Sequence, residues 1–185
     1  HFTSLNNCLL YLKNKKKTFI ITSPPNTHYK YFLKISKIKN SKIFIEKPIT
    51  TSSYEINKIT EIAKKNKLLI SEIYPYKLSR SFKYLNKFYN HNHLKLKSIS
   101  INFLIPSFPK NSFRNSNLIT NSSLFDIGCY PVSLLLDLGF KINNYKVLQF
   151  NSNNPFKKYF KINFIENNIK IKIKIGTNIK YTNNV

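Results

Sequence analysis

Three short stretches of this chain carry residue types that can hold a ligand and handle protons. Phe44-Ile45-Glu46-Lys47-Pro48-Ile49 is an apolar run that stops at a glutamate, a lysine and a proline. A lysine partly withdrawn from water at a strand end loses some preference for its charge, and it can then exchange protons near neutral pH. Pro48 fixes the exit of that run and is a candidate for a cis bond. Ser23-Pro24-Pro25-Asn26-Thr27-His28 is a polar turn behind a β-branched run; with a helix starting after it, such a turn suits a nucleotide's ribose or phosphates. In Asp126-Ile127-Gly128-Cys129-Tyr130 a carboxylate and a phenol stand four residues apart. On one helix they share a face, where they can anchor a substrate hydroxyl or orient a proton donor. Gly128 between them lets another group approach the backbone closely. Each stretch also has an ordinary reading: a linking turn, a surface lysine, a capping aspartate before a core tyrosine.

The surrounding elements decide where these groups sit. Leu5–Leu12 has apolar residues at helical spacing. Thr18–Thr22 is a continuous β-branched and aromatic run of the kind expected in a strand buried on both faces. Asn26 or Thr27 can cap a helix through about Lys37. Ile43–Ile45 forms the next strand. Thr51, Ser52 and Ser53 offer caps for a helix to about Asn66, with Ile56, Ile59, Ile62 and Ala63 on one face. Leu68–Ile70 is a third strand, and this strand–helix–strand–helix–strand order predicts a parallel sheet. Beyond Tyr74-Pro75-Tyr76 the pattern changes. A helix around Ser81–Tyr89, an alternating run over Leu96–Leu104 and a long loop from Pro106 to Ser122 precede a helix over Leu124–Leu138, interrupted near Gly128 and Pro131. Strand-like segments then fall at Lys146–Asn151, Tyr159–Ile165 and Ile169–Ile175, the last alternating Ile and Lys like a half-exposed antiparallel strand. The expected division is residues 1–78, part of a doubly wound α/β unit, and 79–185, an α+β unit with a mostly antiparallel sheet.

Composition narrows the classes. A 185-residue chain with 42% hydrophobic and 15% aromatic residues can bury a core. No apolar run approaches the length of a bilayer span, so no membrane partner is expected. His1–Ser4 lacks a signal-peptide layout, and the chain has no methionine at all, so it reads as a piece of a longer polypeptide. Cys8 and Cys129 have no metal-ligand spacing; no metal is expected, and reduced thiols point to the cytoplasm. The net charge of +24 invites a nucleic-acid reading. However, arginine occurs only at Arg80 and Arg114 and alanine only at Ala63, with Asn, Ile and Lys abundant. That bias is the imprint of an A+T-rich coding sequence, and the scarcity of arginine argues against a dedicated nucleic-acid partner.

In this order and at these distances, the three stretches resemble the Gfo/Idh/MocA family of NAD(P)-dependent oxidoreductases, which act on sugars, cyclitols and related polyols. Ser23–His28 is similar to the family's T-P-x-x-x-H segment, and Glu46-Lys47-Pro48 to its E-K-P signature. Leu69–Lys77 resembles the strand and aromatic turn that follow, Phe113-Arg114 a W-R-like segment, and Asp126–Tyr130 the D-x-G-x-[HY] motif. The similarity runs over about residues 1–140, and the β-rich tail fits the family's second domain. The resemblance implies that Lys47 is the catalytic lysine, that Tyr130 takes the acid/base position, and that Asp126 holds substrate and orients its neighbours. It implies that Ser23, Pro24, Asn26, Glu46 and Lys47 line the nicotinamide-ribose side of NAD or NADP, with His28 supporting that turn, and that Lys77 and Arg114 bind substrate. A sugar, nucleotide sugar or polyol substrate and a homo-oligomer through the C-terminal sheet follow from the same likeness.

Departures from the pattern are equally specific. The opening strand and the G-x-G-x-x-G loop that receives the pyrophosphate are missing, an absence of roughly sixty residues. Lys77 stands where relatives carry arginine, and Asn121-Ser122-Ser123 replaces a glycine-rich approach to the aspartate. A dehydrogenase or reductase is the leading expectation, with the isolated chain inactive. A relative that uses NAD during glycoside cleavage, a non-catalytic remnant and a basic nucleic-acid binder are the alternatives.

Overall fold

The computed structural model describes residues 2–12, 17–92, 95–112, 114, 118–142, 145–150, 159–177 and 179–185. Phe113 and Asn151, both part of the expectations above, lie outside them. The chain divides into two compact units, His1–Tyr74 and Pro75–Val185, where the sequence suggested a division at residue 78.

In the first unit, helix α1 (Leu5–Leu12) is followed by strand β1 (Thr18–Ile21), helix α2 (His28–Ile35), strand β2 (Lys42–Glu46), helix α3 (Ser53–Asn66) and strand β3 (Leu69–Ile73). The strands form a parallel sheet in the order β1-β2-β3, with Ile21 beside Ile45 and Ile45 beside Glu72. Connections of this length between parallel strands must cross over through helices. Ser52 caps α3 by accepting the Glu55 N–H, and Glu55 turns its carboxylate to the Thr50 hydroxyl. The helix stops at Lys67, which takes a left-handed conformation with φ 53°, a position usually given to glycine.

One face of this sheet is a core and the other is not. Ile21, Ile43 and Ile45 pack with Phe32 and Ile35 of α2 and Ile59 of α3. The alternate residues Ile20 and Leu69 remain 66% and 53% exposed. The expectation that β1 is buried on both faces is therefore corrected: the helices cover one side only. The first turn of the α2 segment is a 3-10 turn over Pro25–Thr27, and Thr27 precedes α2 without a side-chain cap.

The second unit begins with a 3-10 turn, Pro75–Leu78, and helix α4 (Arg80–Asn92). Strand β4 (Ser98–Ile105), helices α5 (Ser123–Asp126) and α6 (Cys129–Asp137), and strands β5 (Lys146–Phe150), β6 (Tyr159–Glu166), β7 (Ile169–Thr177) and β8 (Thr182–Asn184) follow. The sheet order is β5-β6-β7-β4-β8. Asn167 and Asn168 turn β6 into β7 with φ of 51° and 64°, both in the positive range that a tight hairpin needs. β7 is antiparallel to β6 but parallel to β4, so the expected antiparallel strand sits in a mixed environment at the centre of the sheet. Its isoleucines are buried with Ile99, Ile101, Phe160, Ile162 and Phe164 against Leu134 and Leu135 of α6. The lysines between them face away, as period-2 alternation requires.

The helix expected over Leu124–Leu138 is two helices. The break falls at Ile127–Gly128, and Pro131 is accommodated in the first turn of α6, where a missing N–H costs nothing. A Cβ on Gly128 would stand 2.3 Å from the Leu124 carbonyl oxygen and 2.7 Å from the Ile175 side chain. The bend is thus pressed against the middle of β7.

Candidate functional site

In the first unit, two turns lie at the carboxyl ends of neighbouring parallel strands, the edge where open α/β sheets bind ligands. After β1 the Ser23 turn is closed by the Thr27 N–H, which donates to the Pro24 carbonyl at 2.9 Å. The Thr27 hydroxyl lies 2.7 Å from the same carbonyl and 2.6 Å from Ser23 Oγ. Asn26 and Pro24 are exposed on this turn. After β2 the chain passes through a cis Lys47–Pro48 bond, and the Lys47 N–H donates to the Glu46 carboxylate at 3.1 Å.

His28 joins the two turns. Its ring is fully buried, with Nε2 2.7 Å from the Ser23 carbonyl and Nδ1 2.9 Å from the Pro48 carbonyl. A neutral imidazole donates to one of these oxygens, a protonated one to both. Glu72, which sequence reasoning did not single out, sits next to Ile45 on β3 and accepts the Ile49 N–H at 2.7 Å. A carboxylate within the apolar run Leu69–Ile73 was its only signal, since such a group needs a donor. Lys47 is 8% exposed, and among the described residues it is the one lysine that is buried. Ser23, Pro24, Asn26, His28, Glu46 and Lys47 thus share the two turns that β1 and β2 present.

In the second unit, Asp126 ends α5 and is 6% exposed. Arg114 Nε stands 3.0 Å from its Oδ2, and the guanidinium stacks over Phe108, 5.3 Å from the ring centre. Tyr130 lies in the first turn of α6, beyond the bend, so the simple four-residue helical registration with Asp126 is not kept. Its ring meets Phe103 edge-on, with centroids 5.4 Å apart, and Tyr76 at 6.0 Å.

Lys77 belongs to a different group. Its amine pairs with Asp137 at 2.8 Å, and the Tyr76 hydroxyl lies 3.0 Å from both the Asp137 carboxylate and the Ser133 hydroxyl. These contacts clamp the Pro75–Leu78 turn onto α6. Burial, reinforced by the hydrogen bond and charge of Asp137 and opposed by Ser133, raises the Tyr76 phenol well above its ordinary value. Asp137 and Ser133 escaped sequence reasoning, because nothing local marks two polar residues four apart on a mostly apolar helix.

Comparison with known proteins places these features. The Gfo/Idh/MocA family model, described as an oxidoreductase family with an NAD-binding Rossmann fold, matches residues 3–74. No curated protein matches the chain. Among solved structures, KijD10, a 3-ketoreductase from Actinomadura kijaniata solved with NADP and TDP-benzene, superimposes with a TM-score of 0.76 at 15% identity, covering 94% of this chain and 55% of its own. An oxidoreductase from Bacillus cereus gives 0.68 at 18% identity, covering 90% and 49%. YvaA from Bacillus subtilis gives 0.75 at 15% identity, covering 90% and 48%. These likenesses establish a shared fold, and the chain spans about half the length of the structures it matches.

Proposed function

Residues 3–74 belong to the Gfo/Idh/MocA oxidoreductase family, and on that premise we propose that the chain is the catalytic portion of an NAD(P)-dependent dehydrogenase or reductase. The proposed substrate is a hydroxyl or carbonyl group of a sugar, nucleotide sugar or polyol. The observation that carries this reading is the burial of Lys47 at the carboxyl edge of a parallel sheet, between turns that His28 ties together. KijD10, crystallised with NADP and a TDP derivative, supports the nucleotide-sugar choice by fold likeness.

A nicotinamide cofactor, when bound, supplies hydride acceptance or donation; the protein supplies placement and proton traffic. Ser23, Pro24, Asn26 and Glu46 fit the nicotinamide-ribose end, as polar and rigid groups at strand termini. The pyrophosphate end finds no glycine-rich loop among these residues, since the three glycines are Gly128, Gly139 and Gly176, all in the second unit. Lys47 Nζ, withdrawn from bulk water, is the proposed proton carrier at the substrate oxygen. Asp126, fixed by Arg114, anchors a substrate hydroxyl, and Tyr130 is the phenol that holds or yields a proton. Lys77, already engaged by Asp137, contributes to this role by shaping the wall beside Tyr130.

The test uses a protein that joins this chain to a glycine-rich phosphate loop, screened for cofactor reduction with sugars, nucleotide sugars and inositols. In the active combination, Lys47→Ala is expected to lower kcat by at least a thousandfold while leaving the cofactor Kd within about threefold. Turnover like that of the parent in Lys47→Ala sinks the mechanism. A parent that binds cofactor but turns over no polyol places the chain among non-catalytic relatives.

A further inference from the structure

Helices cover one face of the five-stranded sheet, and the opposite face carries a different chemistry. Lys170, Lys172 and Lys174 project from β7 at every second residue, the first two fully exposed. Residues with this spacing stand about 6.6 Å apart along a strand. Lys161 on β6 lies directly opposite Lys174, and Lys146 on β5 pairs with Asn163. Like charges directly opposite each other in a sheet are destabilising, so the fold sustains this arrangement at a cost that an anionic partner would relieve.

No acid interrupts the row. The acids of the second unit are Asp126, Asp137 and Glu166; the first two lie on helices, and Glu166 pairs with the buried Ile169. On β4 the same face continues as Ser98, Ser100 and Asn102. A second copy of this face would bring lysine rows against lysine rows, which argues against self-association here. The occupant must be negatively charged.

We propose that this sheet face docks on an anionic phospholipid surface. Two observations favour lipid over nucleic acid. Ile165, in register with Lys170, is 64% exposed in the middle of the basic row, an apolar group suited to the headgroup boundary and of no use against phosphodiesters. The described outward positions of β4, β6 and β7 carry neither an arginine nor an aromatic ring to stack on bases. Clusters of four to eight lysines are sufficient for attraction to an anionic leaflet. Lying against a charged surface is distinct from crossing it, and no helix among the described residues is long and apolar enough to cross a membrane.

The experiment is co-sedimentation of the chain with vesicles of phosphatidylserine and phosphatidylcholine, beside pure phosphatidylcholine vesicles and duplex and single-stranded DNA at the same ionic strength. Binding to the mixed vesicles is expected, with the triple variant K170Q/K172Q/K174Q losing affinity on the order of a hundredfold. A control, K30Q/K37Q/K39Q, removes the same charge from the exposed lysines around α2 and is expected to change affinity less than threefold. Circular dichroism confirms that both variants are folded. I165S is expected to weaken vesicle binding several-fold and to leave DNA binding unchanged. Equal losses in the two triple variants would show attraction to net charge alone and overturn the proposal. Tighter binding to DNA than to the mixed vesicles, or no preference for phosphatidylserine, overturns it too.

Discussion

Lys47 and His28 show how much one residue's surroundings decide. The chain holds 31 Lys and Arg residues, yet Lys47 is set apart by the end of a buried strand and a fixed proline exit, which were visible in the primary structure. His28 was legible as part of a motif, whereas its two carbonyl partners, twenty residues apart in one case, were not. Replacing His28 with alanine opens a cavity and strands two acceptors. The expected cost is about 3 kcal/mol in a denaturant titration, with the Ser23 and Pro48 turns exchanging amide hydrogens faster. Tyr76 makes a second test. Its phenol stays neutral in the folded chain while an unfolded tyrosine ionises near pH 10. The folded state therefore holds more protons above that pH, and its contribution is present below pH 10 and lost as pH rises toward the folded value. Stability should fall with pH there, by at most about 1.4 kcal/mol per unit and less because the ring is partly exposed. Tyr76→Phe is expected to flatten that slope.

Among the elements, the strands were the most readable. Val, Ile and Phe runs bounded by Pro, Asn and Ser announce β1, β2 and β3, and alternating Ile and Lys announces β7. The pairing partners of β7 were not readable, because alternation specifies a covered face and an open one but not the direction of a neighbour. The bend at Gly128 was half legible. The glycine pointed to a close approach; its partners, the Leu124 carbonyl and Ile175, come from the same turn and from a strand nearly fifty residues later. Gly128→Ala has no room to relax against backbone and is expected to destabilise by on the order of 3 kcal/mol. The measurement is the midpoint of thermal unfolding. Displacing Tyr130 from Phe103 and Tyr76 would accompany that loss, visible as shifted aromatic resonances.

At the scale of the molecule, composition explains why positions that usually fall to glycine are filled otherwise. With three glycines in 185 residues, left-handed backbone falls to Asn40, Asn167, Asn168 and Lys67. Lys67→Gly is expected to stabilise the chain by about 1 kcal/mol, read from chemical denaturation, by relieving the Cβ clash at a helix end. The uncovered side of the first sheet was not foreseeable. Burial of a parallel strand on both faces is the usual arrangement, and only the coordinates reveal Ile20 and Leu69 in water. That surface, beside the open edge of β1, gives the chain the colloidal character of a patchy particle. Mutual repulsion at +24 keeps molecules apart in dilute buffer; near 0.1 M salt the repulsion reaches only about 10 Å, and oily patches can meet. Added salt, which usually disperses charged proteins, should here make the solution cloudy.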